Sequence, residues 1–361
     1  MKAILMLEDG KSFLGEAVGV KAEKTGQVIL NTAVVGYQEM LTDPANAGKI
    51  LVLTYPLIGN YGVAPKFNES NKVWLAGLAI KEKTRIFSNW QAKGSFEDFI
   101  RENNLLTICN VDTRTLAVHL RQKGEMLGII STENSDSKEL ISQIDGFRKK
   151  AKQSLLPEVS VSKPQRLGKE KSKHKIAILD LGITRSVIRQ LDALGFSIIV
   201  FPYNTAPEEI LRAKPSGLII SGGPEEDSGL KEVVARVKCL IGRLPIMGIS
   251  TGHQVLAQAL GAKVAKLKLG HHGVNYPIHN PASYKGEITV QNHSYVVDVD
   301  SFNKLKDVKV TGYNLNDRTI EEFESKKLKL LGIQYCPASP GFKEVNGAFI
   351  KFTKMLRKRS N

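Results

Sequence analysis

The chain has 361 residues, 42% of them hydrophobic and 24% charged, so it can bury ordinary cores, and its length fits two domains better than one. No apolar run approaches the roughly 18 residues that a membrane-spanning helix needs, and the short apolar stretch at the N-terminus is too brief for a signal peptide. The three cysteines are far apart and lack paired spacing, which predicts neither a disulfide framework nor a metal site and favours the reducing cytoplasm.

The formal net charge of +15 invites a nucleic-acid interpretation, but the distribution of the charge argues against it. Much of the excess lies in a lysine-rich stretch at 163–175 and in the tail at 351–359, and neither interleaves its basic residues with aromatic residues for stacking on bases. We therefore expect no specific nucleic-acid partner. A solvated linker and tail is the preferred interpretation, and an acidic protein partner is the alternative.

Strand-like apolar runs separated by turns dominate the first 150 residues. The runs lie at 3–7, 27–31, 50–55 and 105–110. A helix is predicted from Thr113 to Arg121, ended by Gly124. Between 151 and 174 the chain is rich in Lys and Ser and has little apolar periodicity, which is typical of an interdomain linker. These patterns predict a β-rich α/β domain over 1–150 and a basic linker over 151–174.

Strands and helices alternate after the linker. Short apolar strands are predicted at 175–180, 197–201 and 217–221. Helices are predicted between them, one through Ile188 and Leu191 to Gly195 and one at 207–213. This alternation predicts a doubly wound parallel sheet in a second domain over 175–361, with a site at the carboxyl ends of its strands.

The most informative motif is Gly248-Ile-Ser-Thr-Gly252, between a short strand that ends at Ile249 and a helix that begins near His253. A Gly-x-Ser-x-Gly turn in this setting is a nucleophile elbow, which holds its central residue, here Ser250, in a strained conformation near a helix N-terminus. The alternative is a tight strand-to-helix turn with an inert serine.

The stretch at 248–254 resembles the elbow of class I glutamine amidotransferases, in which the central residue is cysteine. Further segments, in the same order along nearly the whole chain, narrow the similarity to the small-subunit family of carbamoyl-phosphate synthetase. These segments lie at 31–32, 36–44, 54–62, 111–114, 261–263, 268–273, 275–277, 291–293 and 339–341.

The resemblance implies a function and a partner. Members of this family hydrolyse glutamine in the C-terminal domain with a cysteine–histidine–glutamate triad, and the ammonia passes through a tunnel into a large subunit. The large subunit uses ATP, Mg²⁺ and bicarbonate to make carbamoyl phosphate for arginine and pyrimidine synthesis, and the N-terminal domain of the small subunit holds it. We therefore expect a large-subunit partner, a cytoplasmic location, and no cofactor or metal in this chain itself.

All three triad positions implied by the resemblance differ from the family. Ser250 stands at the nucleophile position, Cys336 at the position of the histidine base, and Ala338 at the position of the orienting carboxylate. A serine hydroxyl needs an adjacent base, a thiol cannot replace imidazole as a proton shuttle near neutral pH, and alanine orients nothing. We therefore expect the glutaminase activity of this chain to be lost.

The resemblance also implies a glutamine pocket that is only partly retained. The residues that match the family are Gly223, Gln254 and Asn292, and those that differ are Ala45, Glu225, Thr251, Ser294 and Tyr295. Ala45 replaces a serine that the N-terminal domain contributes. Glu225 replaces a glycine of the oxyanion loop, so its side chain is expected to crowd the pocket and its charge to repel an oxyanion.

Histidines that follow Ser250 could in principle rebuild a serine hydrolase. They are His253, His271, His272, His279 and His293. A structural role is the preferred interpretation of each, with His279 in a surface turn. Three functions stay open: a small subunit that supports synthesis from free ammonia, a Ser250-dependent amidase or esterase, and a stand-alone regulatory pseudoenzyme. The retained N-terminal segments favour the first, and whether glutamine still binds is left undecided.

Overall fold

A computed structural model of the chain describes residues 1–150, 154–169, 172, 174–283, 286–339 and 344–357. Parts of the predicted linker, of the segment at 339–341 and of the basic tail lie outside the described residues. The chain divides into two compact units, Met1–Gln153 with Lys268–Gly273, and Ser154–Leu267 with Val274–Asn361. Among the described residues, no helix is long and apolar enough to cross a membrane.

The first unit is built on a closed barrel of strands. Its elements are β1 (Lys2–Leu7), β2 (Ser12–Val18), β3 (Glu23–Asn31), α1 (Tyr37–Thr42), β4 (Ile50–Leu53), β5 (Leu57–Ile58), β6 (Gly77–Ala79), β7 (Glu82–Lys83), α2 (Phe96–Glu102), β8 (Thr107–Cys109), α3 (Thr113–Lys123), β9 (Met126–Ser131) and α4 (Ser137–Lys150). The barrel has the order β1-β2-β8-β6-β4-β3-β9 and encloses an apolar core to which Leu5, Val28 and Ile108 belong.

The sequence signals of helix α3 correspond to its observed ends. The Asp112 carboxylate accepts a hydrogen bond from the Thr115 N–H at 3.0 Å, which satisfies one of the free donors of the first turn. Gly124, with φ 102°, stops the helix. The predicted helix is therefore confirmed, and the four predicted apolar runs correspond to β1, β3, β4 and β8.

The second unit contains one large mixed sheet. From residue 154 the elements are α5 (Leu156–Val159), β10 (Gln165–Gly168), β11 (Lys175–Asp180), α6 (Arg185–Ala193), β12 (Ser197–Pro202), α7 (Pro207–Arg212), β13 (Gly217–Ile220), α8 (Leu230–Lys238), β14 (Ile246–Ile249), α9 (Thr251–Leu260), β15 (Val264–His279), β16 (Gly286–Val297), α10 (Val299–Phe302), β17 (Lys309–Asn314), β18 (Ile320–Ser325), β19 (Leu330–Ile333) and α11 (Gly347–Arg357). The strand order is β10-β12-β11-β13-β14-β19-β18-β17-β15-β16.

The centre of this sheet is parallel, as the alternation of strands and helices predicts. Neighbours in the run β12-β11-β13-β14-β19 pair in parallel, and β13, β14 and β19 are buried at every residue, as expected of strands covered on both faces. The sheet continues with antiparallel strands, since β10 pairs antiparallel with β12, and β18 with β19. The prediction of a doubly wound parallel sheet is therefore confirmed for the central strands. It did not include the antiparallel strands on either side of them.

Part of the predicted linker at 151–174 is regular structure of the second unit, which differs from the sequence interpretation. Strand β10 pairs with β12 from Gln165 opposite Val200 to Gly168 opposite Ser197. The stretch before it is held by a buried carboxylate, because Asp227 accepts hydrogen bonds from the Ser154 hydroxyl at 2.5 Å and from the N–H groups of the next two residues. Backbone hydrogen bonds of this kind do not depend on the side chains of the stretch, so its polar composition conceals them.

Candidate functional site

Three loops that carry the predicted catalytic positions and one predicted pocket residue leave neighbouring parallel strands at the same edge of the sheet. The loop after β13 contains Gly223, strand β14 leads into Ser250, and the loop after β19 contains Cys336 and Ala338. Pairing of β13 with β14 and of β14 with β19 brings these sequence-distant positions to one edge. The carboxyl edge of a parallel sheet is where ligands bind in folds of this class.

Ser250 lies on a strained turn between β14 and α9. Its φ of 52° and ψ of −114° are outside the conformations that residues with a side chain favour. A Cβ atom on Gly252 would lie 2.1 Å from the Ile220 carbonyl oxygen, and one on Gly248 would lie 2.4 Å from the Gly252 carbonyl oxygen, so only glycine fits at either position. The structure therefore has the backbone of a nucleophile elbow.

Among the described residues, the hydroxyl of Ser250 has no hydrogen-bonded base. Within the described part of the chain, no side chain forms a hydrogen bond with Ser250 Oγ, and the residue is buried. The Cys336 N–H donates to the Val290 carbonyl oxygen at 2.9 Å, and Ala338, the predicted position of the orienting carboxylate, is exposed and ends in a methyl group. The arrangement supplies neither a proton acceptor nor a group that would orient one.

The histidines examined as replacement bases have other surroundings. His253 is fully buried against the Phe323 ring, with 4.8 Å between the ring centroids, and burial lowers the pKa of His253 to about 3. Both ring nitrogens of His293 are engaged, Nδ1 with the Tyr295 carbonyl oxygen and Nε2 with a glutamine side chain, each at 2.9 Å. The expectation of a surface turn at His279 is wrong, because this residue ends β15 and pairs with β17.

The remaining two histidines lie in the first unit. The His272 ring bonds to the Glu125 carboxylate at 3.1 Å, and both side chains are fully buried. The neighbouring His271 is buried as well. These surroundings agree with a structural role for both residues.

Three of the predicted pocket residues donate hydrogen bonds to the carboxylate of a fourth, Glu225. Glu225 Oε1 accepts a hydrogen bond from Gln254 Nε2 at 2.7 Å and a longer one from the Tyr295 N–H at 3.3 Å. Glu225 Oε2 accepts from the Ser294 N–H at 2.7 Å. Gln254 Nε2 is also 3.0 Å from the Tyr295 carbonyl oxygen. Glu225 therefore does more than crowd the pocket, because its carboxylate is bound by three donors there.

Two further pocket residues tie the loop after β13 to the elbow. The Thr251 hydroxyl donates to the Gly223 carbonyl oxygen at 2.6 Å, in fully buried surroundings.

The last two predicted pocket residues are not part of this contact. Asn292 is half-buried on β16. Ala45 belongs to the first unit, where it is buried in a short 3-10 helix and its N–H donates to Asp43 Oδ1 at 2.9 Å.

Sequence reasoning missed two features of this site. Gln334, which was not assigned to the pocket, places Oε1 3.4 Å from Gln254 Nε2 and is fully buried. The two backbone donors of Glu225 were also missed, because they lie on β16, 69 and 70 positions further along the chain. The only available signal was an acidic residue in a glycine-rich turn, and no motif relates such a residue to a particular later strand.

Comparisons with known proteins match both halves of the chain. Residues 5–130 match the family described as carbamoyl-phosphate synthase small chain, CPSase domain, and residues 177–350 match glutamine amidotransferase class-I. The carbamoyl phosphate synthase small chain of Syntrophotalea carbinolica is 37% identical, with 99% of this chain and 98% of the relative covered. The protein of the same name from Aquifex aeolicus is 38% identical, with 98% and 99% covered.

A solved glutamine amidotransferase from Thermotoga maritima has a TM-score of 0.35 at 16% identity, covering 46% of this chain and 76% of that one. The family is established by the two domain matches and by the relatives, which are similar over almost their whole length. The chain therefore belongs to the carbamoyl phosphate synthase small chain family and carries a class I glutamine amidotransferase domain.

Proposed function

We propose that this chain assembles with a carbamoyl phosphate synthase large subunit and supports synthesis from free ammonia, without hydrolysing glutamine itself. The observation that carries the proposal is the Ser250 elbow, which is intact in its backbone and has no base among the described residues. Members of a catalytic triad act as a unit, and losing all of them lowers turnover on the order of 10⁶-fold in comparable enzymes.

The partner is inferred from the first unit and from the relatives. Residues 5–130 match the small-chain domain, and the relatives are named small chains. The segments at 36–44 and 54–62, which carried the N-terminal resemblance, form α1, β5 and the turns around them. In this proposal the large subunit uses ATP, Mg²⁺ and bicarbonate, the product serves arginine and pyrimidine synthesis, and the complex is cytoplasmic.

A Ser250-dependent amidase is the second candidate, and the strained elbow favours it. A non-glycine residue in this conformation costs about 1–3 kcal/mol, and such strain is often kept where it serves chemistry. Without a base, however, the serine hydroxyl is a weak nucleophile, so ammonia-dependent synthesis is the better supported function. No observation favours a stand-alone regulatory protein.

The test is co-expression of the full chain with the large subunit of the same organism. We expect the two to elute together in size-exclusion chromatography, because an interface that seals an ammonia path should bury about 1,600 Å² or more. The complex should make carbamoyl phosphate with ammonium chloride and show no glutamine-dependent synthesis. Two separate peaks at micromolar concentration would refute the assembly, and ammonia release from glutamine that Ser250→Ala abolishes would establish the amidase instead.

A further inference from the structure

The carboxylate of Glu225 is bound as a ligand would be. Both of its oxygens accept hydrogen bonds, from the Gln254 side-chain amide and from the consecutive backbone N–H groups of Ser294 and Tyr295. Two consecutive N–H groups and a side-chain amide on one carboxylate form the kind of anion site that proteins present to carboxylate ligands. All four residues belong to the second unit.

The positions of these donors connect the contact to the glutamine pocket. Gln254, Ser294 and Tyr295 stand at positions that the family resemblance assigns to glutamine binding, and none of them is a position of the catalytic triad. Free glutamine carries one carboxylate, at its α-carbon, and donors of this type would receive it. Only one carboxylate can occupy the three donors at a time, so Glu225 and a free amino acid exclude each other there.

We infer that Glu225 is an internal ligand that fills the carboxylate subsite of this pocket and closes it to free amino acids; the inference rests on the proposed function, which assigns the pocket to a glutamine that is no longer hydrolysed. A tethered group acts at an effective concentration of roughly millimolar or above, which a free amino acid has to exceed before it can displace the side chain. The donors of the subsite are in place, and the class of ligand that they would take once Glu225 is removed is an α-amino acid or a small carboxylate.

The matched control is the neighbouring acid. Glu226 is exposed, pairs with Lys266 Nζ at 3.0 Å and accepts a hydrogen bond from the Tyr295 hydroxyl. It therefore touches the same strand without touching any of the three donors of Glu225. Glu225→Ala and Glu226→Ala remove the same atoms and the same charge from adjacent positions.

The experiment compares the full-length wild type, Glu225→Ala and Glu226→Ala in two measurements. Thermal unfolding is followed in sodium acetate and in sodium chloride of equal ionic strength, so that acetate can fill the vacated subsite. Binding of L-glutamine is measured by calorimetry. We expect acetate to raise the unfolding midpoint of Glu225→Ala alone, and L-glutamine to bind Glu225→Ala about tenfold or more tighter than the wild type and Glu226→Ala.

Equal effects of acetate on all three proteins, or equal glutamine affinity of wild type and Glu225→Ala, would overturn the inference. If Glu225→Ala does not fold, NMR of the wild type tests the inference instead, through the backbone amide resonances of Ser294 and Tyr295. They should stay unchanged when millimolar L-glutamine is added, and a saturable shift would show that glutamine displaces Glu225. Ammonia release is assayed in the same samples, because hydrolysis by the wild type contradicts the proposed function, whereas binding without hydrolysis contradicts only this inference.

Discussion

At the scale of single residues, the chemistry of the site is decided at three positions. Ser250 has the backbone conformation of a nucleophile, while Cys336 and Ala338 cannot take a proton from it or orient a base. Restoring the nucleophile by itself should therefore restore nothing, because the thiol would still lack a proton acceptor and a donor for the leaving ammonia.

We expect Ser250→Cys alone to release no ammonia from glutamine. The triple variant with Cys336→His and Ala338→Glu should recover a little activity. Adding Glu225→Gly should recover more, because it vacates the pocket and removes a charge from the oxyanion loop, where one donor is worth about 3 kcal/mol in comparable sites. Ammonia release by the wild type, the single, the triple and the quadruple variant is the measurement, and activity in the single variant would contradict the reasoning.

A second prediction at this scale concerns His253. Burial lowers its pKa in the folded state from 6.5 to about 3, so the unfolded chain binds a proton that the folded chain does not. The stability that this histidine contributes is present above its unfolded pKa and is lost as the pH falls toward about 3. Between pH 6.5 and about pH 3, the free energy of unfolding of the wild type should fall more steeply with decreasing pH than that of His253→Leu, by up to about 1.4 kcal/mol per pH unit.

The readout for His253→Leu is the slope of stability against pH, taken from chemical unfolding at a series of pH values between neutrality and mild acid. Replacing the imidazole by leucine also changes the packing, and with it the stability at neutral pH, so the slope decides and the absolute stability does not. Parallel slopes for the two proteins would show that His253 carries its proton in the folded chain.

At the scale of elements, the elbow depends on how closely α9 approaches β13. Gly252→Ala would place a methyl group 2.1 Å from the Ile220 carbonyl oxygen and should destabilise the second unit by about 3 kcal/mol. Gly146→Ala is the matched control, because Gly146 lies inside α4 with no atom within 4 Å of the added methyl group. It should stabilise α4 by about 0.5–1 kcal/mol, and thermal unfolding of both variants checks the opposite signs.

The first residues of the second unit are anchored by the carboxylate of Asp227. Asp227 accepts hydrogen bonds from the Ser154 hydroxyl and from the N–H groups of Leu155, Leu156 and Gly229. In Asp227→Asn, one acceptor oxygen becomes an NH₂ group, which cannot accept a hydrogen bond from these donors. The substitution should weaken the attachment of residues 154–156 by about 2 kcal/mol. Amide hydrogen exchange at Leu155 and Leu156 should accelerate by more than about tenfold in this variant.

Asp192→Asn is the control for the anchor, since Asp192 is exposed on α6, and it should leave the exchange rates of both amides unchanged. Equal protection in Asp227→Asn and in the wild type would mean that packing of α5, and not the carboxylate, holds this stretch in place.

At the scale of the whole molecule, the net charge of +15 bears on partners. We expect only weak, non-specific binding to DNA or RNA, because the lysine-rich stretches do not interleave aromatic residues for base stacking and release of counterions would be the only driving force. Fluorescence anisotropy with a labelled duplex should show affinity that falls by an order of magnitude or more between about 50 and 200 mM salt. A sequence-preferring complex that persists at physiological salt would contradict this.

The sequence by itself determined the family and the alternation of strands and helices in the second unit, and it predicted the elbow and the loss of the triad. Each of these depends on residues that are close together in the chain: the glycines around Ser250 permit its turn, and Asp112 and Gly124 mark the ends of one helix. The predicted loss of a base is equally local, because it is a matter of which side chain stands at a given position.

Only the tertiary structure decided where the polar groups of distant segments meet. It placed the Ser294 and Tyr295 N–H groups on Glu225, continued the parallel sheet with antiparallel strands, and joined part of the predicted linker to the second unit. These contacts join backbone groups that every residue carries, so they have no counterpart in composition or periodicity. The pairing of strands determines them, and only the folded chain specifies that pairing.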